Sequence, residues 1–355
     1  MKSNQDIPPL PDTIIWDKGE LVYEHVPVLK FFDWNVHRLC KHQGAVYISG
    51  HDISEICHGG DFRRVQSLWG EKPSEDIAKF IAWPVDAFEF HNLIIGETKE
   101  SVEVQRYAIV SQNFPDRFFF HSEPFSGKLK NTQWFTSPKI INLIPKDCIP
   151  NSKSKMIMLY KLAKVLAWLE SKELVHFTFA EDTCLDAESD DIYVSGFMNI
   201  YNTRLSEPVD SLWSYEYMPP EVVIAGRYMP TISTLYGQRH ALSVLIYQLL
   251  LLRHPLRGMK MNSTISAEED DRLSMGECAL FIEHPTDASN RTDPRTGEVK
   301  LIKSSYNDFG HDIAELFERA FIDGLHNPNL RPTPSEWASA FERLINTELP
   351  LRLRD

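Results

Sequence analysis

The sequence predicts an α+β fold in which a β-rich first third is followed by a larger helical portion. Between residues 14 and 115, β-branched and aromatic residues form short apolar runs that are typical of strands. From residue 156 onward, apolar residues instead recur at helical spacing. The change falls between residues 114 and 131, and strands followed by helices indicate an α+β arrangement. A chain of 355 residues that is 43% hydrophobic can bury a large core.

The N-terminal portion begins with a polar, proline-rich stretch, residues 1–13, for which we expect a flexible arm. Residues 14–115 should then form a β-rich lobe built on a twisted antiparallel sheet. Within it, residues 61–79 have the spacing and capping residues of one or two short helices. The expected strands carry these sequences: TIIW, ELVY, VPVLKFF, GAVYIS, AWPVDAFEF, LIIGE and VEVQRYAIVSQNFP.

Residues 116–355 should form a helical lobe. An amphipathic helix is predicted over 156–171, and residues 241–252 are apolar on every side, which predicts a central buried helix. Twelve residues are too few to span a bilayer, which needs about 20. Residues 258–307 are polar and should form a partly ordered insertion, whose acidic run at 268–271 predicts a solvated loop or, alternatively, a docking site for a basic partner. Closing helices are predicted at 311–323 and 334–346.

Charge and cysteine content exclude several classes of function. The chain has 37 Lys and Arg against 50 Asp and Glu, for a net charge of −13. This balance argues against a nucleic-acid-binding protein, which needs a clustered basic face, and against binding to an anionic membrane. The five cysteines are scattered and never form a C-x-x-C pair, which indicates reduced thiols and a cytoplasmic location.

One stretch, LVHFTFAEDTCLDAESDDIYVSGF at residues 174–197, carries the most specific signal. It resembles the catalytic and metal-binding loops of protein kinases, H-R-D-L-x-x-x-N followed by D-F-G. His176 and Phe197 match that pattern. Thr178, Thr183 and Gly196 stand where the catalytic Asp, the metal-binding Asn and the metal-binding Asp are expected. The resemblance implies a bilobal kinase-like fold, with a small β-rich N-lobe and a larger helical C-lobe, that has lost its chemistry.

Three further stretches support the kinase resemblance. MPPE at 218–221 is similar to the A-P-E motif, and residues 241–255 are similar to the central helix and its exit loop. NPNLRP at 327–332 resembles the segment whose Arg pairs with the A-P-E Glu. The resemblance therefore implies a largely buried ion pair between Glu221 and Arg331. It also places Gln238 where kinases carry the Asp that braces the catalytic loop, so that hydrogen bond would have to come from an amide.

Within the kinases, the chain is similar to the bacterial kinase-like proteins associated with the TerY phosphorylation complex. The shared stretches are IAWPVD at 81–86, RHALSVLIYQLLLLRHPLRG, ALFIEHPTDASNR at 279–291 and NPNLRPTPSEW. Such proteins are typically encoded beside a metal-dependent protein phosphatase and a von Willebrand A-type protein. The resemblance implies those two classes of protein as partners.

The N-terminal portion lacks the G-x-G-x-x-G loop that covers phosphates in kinases. Lys30 is the best candidate for the phosphate-pairing lysine, with Glu55 or Glu75 as its helix partner; a surface lysine on an edge strand is the alternative. Val110 and Gln112 complete the nucleotide-binding candidates. We expect no cofactor, and only weak binding of ATP or Mg²⁺.

Other polar clusters predict less. Asp182, Asp186, Asp190 and Asp191 could replace the missing carboxylates, but solvated turn residues are the simpler interpretation. His51, Cys57 and His58 lack a fourth metal ligand at a recognised spacing. Glu283, His284 and Asp287 could form a metal or catalytic cluster, but capping and turning a loop around Pro285 is the favoured interpretation.

The sequence therefore favours a pseudokinase that acts as a binding, scaffold or regulatory module in a bacterial signalling complex. One alternative is a divergent kinase or nucleotidyl transferase that uses displaced acidic residues. The other is a kinase-fold protein that binds a peptide or small molecule in its cleft without any nucleotide.

Overall fold

The computed structural model describes residues 13–16, 19–24, 37–41, 44–48, 68, 70–95, 101–112, 114–204, 213–226, 231–293 and 305–347. Contacts divide the chain into two compact units. The first comprises Met1–Ser74 and Ala82–Asp116, and the second Glu75–Ile81 and Arg117–Asp355. Residues 75–81 were expected in the first unit. They belong to the second because the short helix α1, Glu75–Ala78, contacts the long helix over Ser152–Ser171, where Asp76 lies 3.4 Å from Lys164.

The first unit contains a six-stranded antiparallel sheet with the order β1-β2-β3-β4-β6-β5. The expected strands AWPVDAFEF and LIIGE run on as one long strand, β5, which forms a hairpin with β6 and has a bulge between Pro84 and Asp86. Residues 37–41 were not predicted as a strand. The strands are β1 Thr13–Trp16, β2 Gly19–Glu24, β3 His37–Lys41, β4 Gly44–Ile48, β5 Pro84–Ile95 and β6 Ser101–Gln112.

The second unit is mainly helical and has two small antiparallel pairs of strands: β8 and β9 form a hairpin, and β7 pairs with β10. Its strands are β7 Leu174–His176, β8 Thr183–Asp186, β9 Asp191–Val194 and β10 Ile200–Asn202. After α1, its helices are α2 Pro138–Ile141, α3 Ser152–Ser171, α4 Phe179–Asp182, α5 Pro220–Ala225, α6 Thr231–Leu251, α7 Ala267–Met275, α8 His311–Glu318 and α9 Pro334–Asn346. The α+β class predicted from the sequence is present.

Helix α6 is the centre of the second unit. Residues 241–249 are all buried, which explains why this stretch is apolar on every side. The helix begins at Thr231, ten residues before the predicted start. Gly237 lies inside the helix, and a Cβ at this position would lie 3.1 Å from the Trp213 ring, so the glycine allows Trp213 to pack closely. Around α6, buried aromatic rings pack edge to face, including Tyr247 against Phe281, Phe317 and Phe321.

Local sequence explains where several helices begin. Asn151 accepts a hydrogen bond from the Ser154 amide and caps α3, and Thr333 forms a capping box with Glu336 before α9. The acidic run 268–271 was predicted as a loop, but it lies in α7. Ser266 caps that helix, and acidic side chains in a first turn are stabilised by the helix dipole.

In the described part of the chain, none of the helices combines the length and apolar character needed to cross a membrane.

Candidate functional site

The 174–197 segment forms a compact structure within the second unit. β7 leads into the single-turn helix α4, and β8 and β9 form a hairpin that returns the chain toward it. β7 also pairs with β10, which places Ile200 opposite His176. These pairings bring the polar residues singled out from the sequence into one cluster around α4.

His176 braces this cluster from inside the core. It is fully buried, its amide donates to Gln238 Oε1 at 2.8 Å, and its Nε2 lies 2.5 Å from the carbonyl oxygen of Ser195. A ring nitrogen that faces a carbonyl must carry the proton, so the imidazole is the Nε2–H tautomer. Burial lowers its pKa, against the opposing effect of the Asp182 charge. The side chain is therefore a neutral structural link, and Gln238 supplies the amide hydrogen bond expected of it.

Thr178 lies next to a carboxylate. Its hydroxyl donates to Asp182 Oδ2 at 2.5 Å and accepts a hydrogen bond from Asn199 Nδ2 at 2.7 Å. Both residues are partly buried. The Asp182 carboxylate is thus held beside position 178 by a side-chain hydrogen bond within α4's first turn.

Gly196 meets the same carboxylate from the other side. Its φ is +75°, in the left-handed region, and a Cβ built there would lie 2.0 Å from Asp182 Oδ2. The neighbouring Ser195 donates from its amide and its hydroxyl to the Asp182 carbonyl oxygen, at 2.9 and 3.0 Å. Position 196 therefore has no room for a side chain while Asp182 keeps this conformation.

Thr183 and Phe197 both point into the core. Thr183 is fully buried, and its hydroxyl donates to the carbonyl oxygen of Phe179 at 2.7 Å. Phe197 is buried as well. The Thr183 hydroxyl satisfies the backbone of α4, which is the usual role of a buried threonine in or beside a helix.

Glu181 is a site residue that the sequence analysis missed. Burial raises its pKa to about 7, because the ionised carboxylate loses contact with water. It sits one residue before Asp182, so two carboxyl groups adjoin in α4. Nothing in the local sequence distinguishes it from a surface glutamate.

Asp190 lies in the turn of the β8–β9 hairpin with a φ of +53°, as expected of a turn residue, whereas Asp186 and Asp191 are not solvated. Asp186 is buried and lies 3.2 Å from the buried Lys130 Nζ, and it also accepts from the Ser189 hydroxyl. Asp191 lies 2.6 Å from Lys161 Nζ and is only partly exposed. Their charges are compensated by lysines of the same unit, and the prediction failed because those lysines are distant in sequence.

Glu221 and Arg331 form the ion pair expected from the motif positions. Arg331 Nη1 and Nη2 each donate to one Glu221 carboxylate oxygen at 2.7 Å. The Arg331 side chain is fully buried, whereas the Glu221 side chain is 26% exposed. The pair joins α5 to the segment before α9, but it is buried only on the arginine side.

The nucleotide-binding candidates are described only in part. Val110 and Gln112 lie in β6, where their backbones pair with Ile48 and Val46 of β4. Lys30 and Glu55 lie outside the described residues, as do His51, Cys57 and His58. Glu75 begins α1 and belongs to the second unit.

Glu283, His284 and Asp287 do not converge on one point. The Glu283 carboxylate accepts from Tyr247 and Ser305 and pairs with Arg253 at 2.6 Å. His284 Nδ1 instead accepts from the Asp287 amide at 3.0 Å and closes the turn at Pro285. Where side chains are described, no group of three or more His, Cys, Asp or Glu residues is arranged to hold a metal ion.

A comparison with models of known protein families finds no match, and no curated protein sequence matches the chain.

Proposed function

We propose that this protein is a pseudokinase: a bilobal kinase-like protein of the bacterial cytoplasm that acts as a binding and regulatory module and does not transfer phosphate. The observation that carries the proposal is the contact between Gly196 and Asp182. At the position that the resemblance assigns to a metal-binding aspartate, a Cβ would lie 2.0 Å from the Asp182 carboxylate. The backbone at 196 has a left-handed φ that favours glycine, and a side chain there would have to displace the Asp182 carboxylate, which supports the loss of the metal ligand that phosphoryl transfer requires.

The other two assigned positions support the same conclusion. The Thr183 hydroxyl is buried and donates to the Phe179 carbonyl oxygen, so it is already engaged inside the unit's core. Thr178 offers a hydroxyl where a general base is needed, and Mg²⁺ prefers carboxylate oxygens to hydroxyls. Removing one preorganised electrostatic group can cost roughly 3–4 kcal/mol in transition-state stabilisation, and three are missing here.

The structural contacts of this unit are retained although these groups are not. Arg331 keeps its two-pronged bond to Glu221, and Gln238 keeps the brace on His176. A unit that keeps these structural hydrogen bonds but lacks the catalytic and metal-binding groups is suited to binding other proteins. The family resemblance suggests a metal-dependent protein phosphatase and a von Willebrand A-type protein as those partners. The thiols of Cys148, Cys184 and Cys278 are free, in keeping with a reducing compartment.

One observation favours the alternative of a divergent phosphotransferase. Asp182 places a carboxylate 2.5 Å from the Thr178 hydroxyl, beside the position assigned to the base. Within the described residues, Asp182 forms no ion pair. A displaced base of this kind would abstract a proton from a substrate hydroxyl while the metal ligands came from elsewhere.

Thermal unfolding with ATP, in the presence and absence of Mg²⁺, tests the main proposal. A ligand that binds only the native state raises the melting temperature, by an amount set by its concentration relative to Kd. We expect no magnesium-dependent rise at sub-millimolar ATP. A rise of several degrees that requires Mg²⁺ would contradict the proposal.

Transfer of labelled phosphate from ATP tests the alternative. We expect no labelling of the protein or of a general protein substrate. If labelling occurs, Asp182→Asn and the matched control Glu188→Gln, which alters an exposed residue of the same region, identify its origin. Labelling lost only in Asp182→Asn would establish the displaced base and overturn the pseudokinase proposal.

A further inference from the structure

Three exposed apolar side chains are grouped in one loop of the second unit. In the 259–265 loop, which precedes α7, the exposed fractions are 55% for Met259, 70% for Met261 and 87% for Ile265. Single exposed apolar residues are ordinary, but grouped ones mark interaction surfaces. At the other end of α7, Ile224 is 48% exposed and lies beside Gly276.

The backbone of the 259–265 loop is held in place by hydrogen bonds. Asp270 Oδ1 accepts from the amides of Asn262 and Ser263 at 2.5 and 2.8 Å. Asn262 Nδ2 donates to Ser274 Oγ at 2.9 Å, which fixes the loop to α7 a second time. Ordering a loop costs conformational entropy. Here the hydrogen bonds offset that cost, and they hold the loop in a conformation in which its apolar side chains are exposed to water.

The start of the loop is anchored on the opposite side. The Lys260 amide donates to Asn290 Oδ1 at 3.3 Å, and Asn290 is itself buried and donates to the carbonyl oxygens of Leu256 and Leu280. A Cβ at Gly258 would lie 1.7 Å from the Asn290 carbonyl oxygen, so the backbones at 258 and 290 pack against each other with no room for a side chain at 258. The loop is therefore preorganised, which lowers the entropy that a binding partner would have to offset.

The surroundings of the loop are acidic. Residues 257–277 include three basic and five acidic side chains. Arg257 pairs with Asp271 and Glu216, Arg272 pairs with Glu277 and Glu269, and Asp270 accepts hydrogen bonds from the loop amides. Lys260, the third basic residue, is half-buried and lies between Met259 and Met261. Glu268 is exposed in the first turn of α7. The surface next to the exposed apolar residues thus retains a net negative charge.

We propose that the 259–265 loop and the first turn of α7 form a docking surface for a protein partner that presents an apolar helix face flanked by lysine or arginine. Apolar anchors at the centre and opposite charges at the rim are the usual arrangement of a protein interface. A second copy of this chain is a poor occupant, because two molecules with a net charge of −13 would bring like charges together. The inference goes beyond the proposed function, and it does not depend on whether the 174–197 segment is catalytic.

A defined probe tests the proposal on the full chain. The probe is a fluorescently labelled 20-residue amphipathic helix of leucine and lysine, and its matched control replaces every lysine with glutamate. Anisotropy should report saturable binding of the lysine peptide and at least tenfold weaker binding of the glutamate peptide. Combining Met259→Ser, Met261→Ser and Ile265→Ser should weaken binding of the lysine peptide at least tenfold. The control Leu143→Ser, which removes an equally exposed apolar side chain elsewhere, should leave it unchanged.

Two further measurements complete the test. Asp270→Ala keeps the apolar side chains but releases the loop, so amide exchange at 262–263 should rise and binding should weaken; unchanged binding would contradict the role of preorganisation. The melting temperature of the triple variant should match that of the unaltered chain, because the three side chains are exposed. Equal binding of both peptides, or equal loss in Leu143→Ser, would overturn the proposal. So would a dimer in sedimentation that the triple variant dissociates, since the occupant would then be a second copy.

Discussion

Arg331 and Glu221 are joined by two parallel hydrogen bonds of 2.7 Å, and the arginine uses its remaining donors on backbone carbonyls. Nε donates to Gly324, Nη1 also to Tyr236, and Nη2 also to Leu325, at 2.8 to 3.0 Å. All five N–H groups of the guanidinium are therefore satisfied. One side chain holds together α5, α6 and the turn before α9.

Arg331→Ala should destabilise the protein by about 3–5 kcal/mol, because it strands the buried carbonyl groups of Gly324 and Leu325 and leaves the Glu221 charge without its partner. The matched control is Arg343→Ala, which breaks the 2.6 Å contact with Asp312 where both side chains are about half exposed. That change should cost less than about 1 kcal/mol. Equilibrium urea denaturation of both variants measures the difference. Equal costs would mean that the arginine network adds nothing to stability.

Gly196→Ala should destabilise the protein more than Gly127→Ala does. Both glycines have a φ near +75°, so each alanine carries the left-handed backbone cost of about 1–2 kcal/mol. Only at Gly196 does the new Cβ also meet the Asp182 carboxylate; at Gly127 it meets nothing within 4 Å. The difference between the two free energies of unfolding isolates that contact. Equal values would show that Asp182 moves aside at no cost, which would remove the main support for the proposed function.

Glu181 should make stability depend on pH. Its pKa rises from 4.5 in the unfolded chain to about 7 in the folded protein, so the folded state binds more protons between those values. Stability then falls as pH rises from 4.5 through 7, because ionising the buried carboxyl is unfavourable. Glu181→Gln removes this loss, and its stability relative to the unaltered protein should be higher at pH 8 than at pH 5.

Comparing variants at each pH isolates Glu181 from other titrating groups. His176, whose pKa is lowered by burial, acts in the opposite direction on acidification. The exposed Glu188→Gln serves as the control and should change stability equally at both pH values. A Glu181→Gln effect that is independent of pH would mean that this carboxyl titrates normally.

Local features were well predicted from the sequence because their signals are local. The helix expected over 156–171 extends over Ser152–Ser171, since the apolar stripe lies within it and Asn151 caps its first turn. The acidic run at 268–271 was predicted as a loop from its charge alone. The prediction was wrong because Ser266 caps a helix that begins at Ala267 and includes the run. The long β5 strand was split in two at His91–Asn92, where polar residues interrupt the apolar run.

Long-range contacts were predicted only where a family motif carried them. Glu221 and Arg331 are 110 residues apart, and their motif positions, not their spacing, predicted the contact. The Lys130–Asp186 pair has no comparable motif, so Asp186 was taken for a turn residue. The motif assigned Thr178 a position but not its contacts, which are a hydrogen bond from Asn199 and one to Asp182.

The packing of Asp182 against Gly196 makes the order of mutations matter. A larger residue at 196 is tolerated only after position 182 has lost its carboxylate or turned it elsewhere, whereas a smaller residue at 182 is accessible first. Mutations at residues in direct contact have non-additive effects on the free energy of unfolding, so the effect of a substitution at 196 depends on the residue at 182. A side chain at 196 should therefore cost less stability in a variant whose residue 182 is smaller than Asp than it does in the unaltered chain.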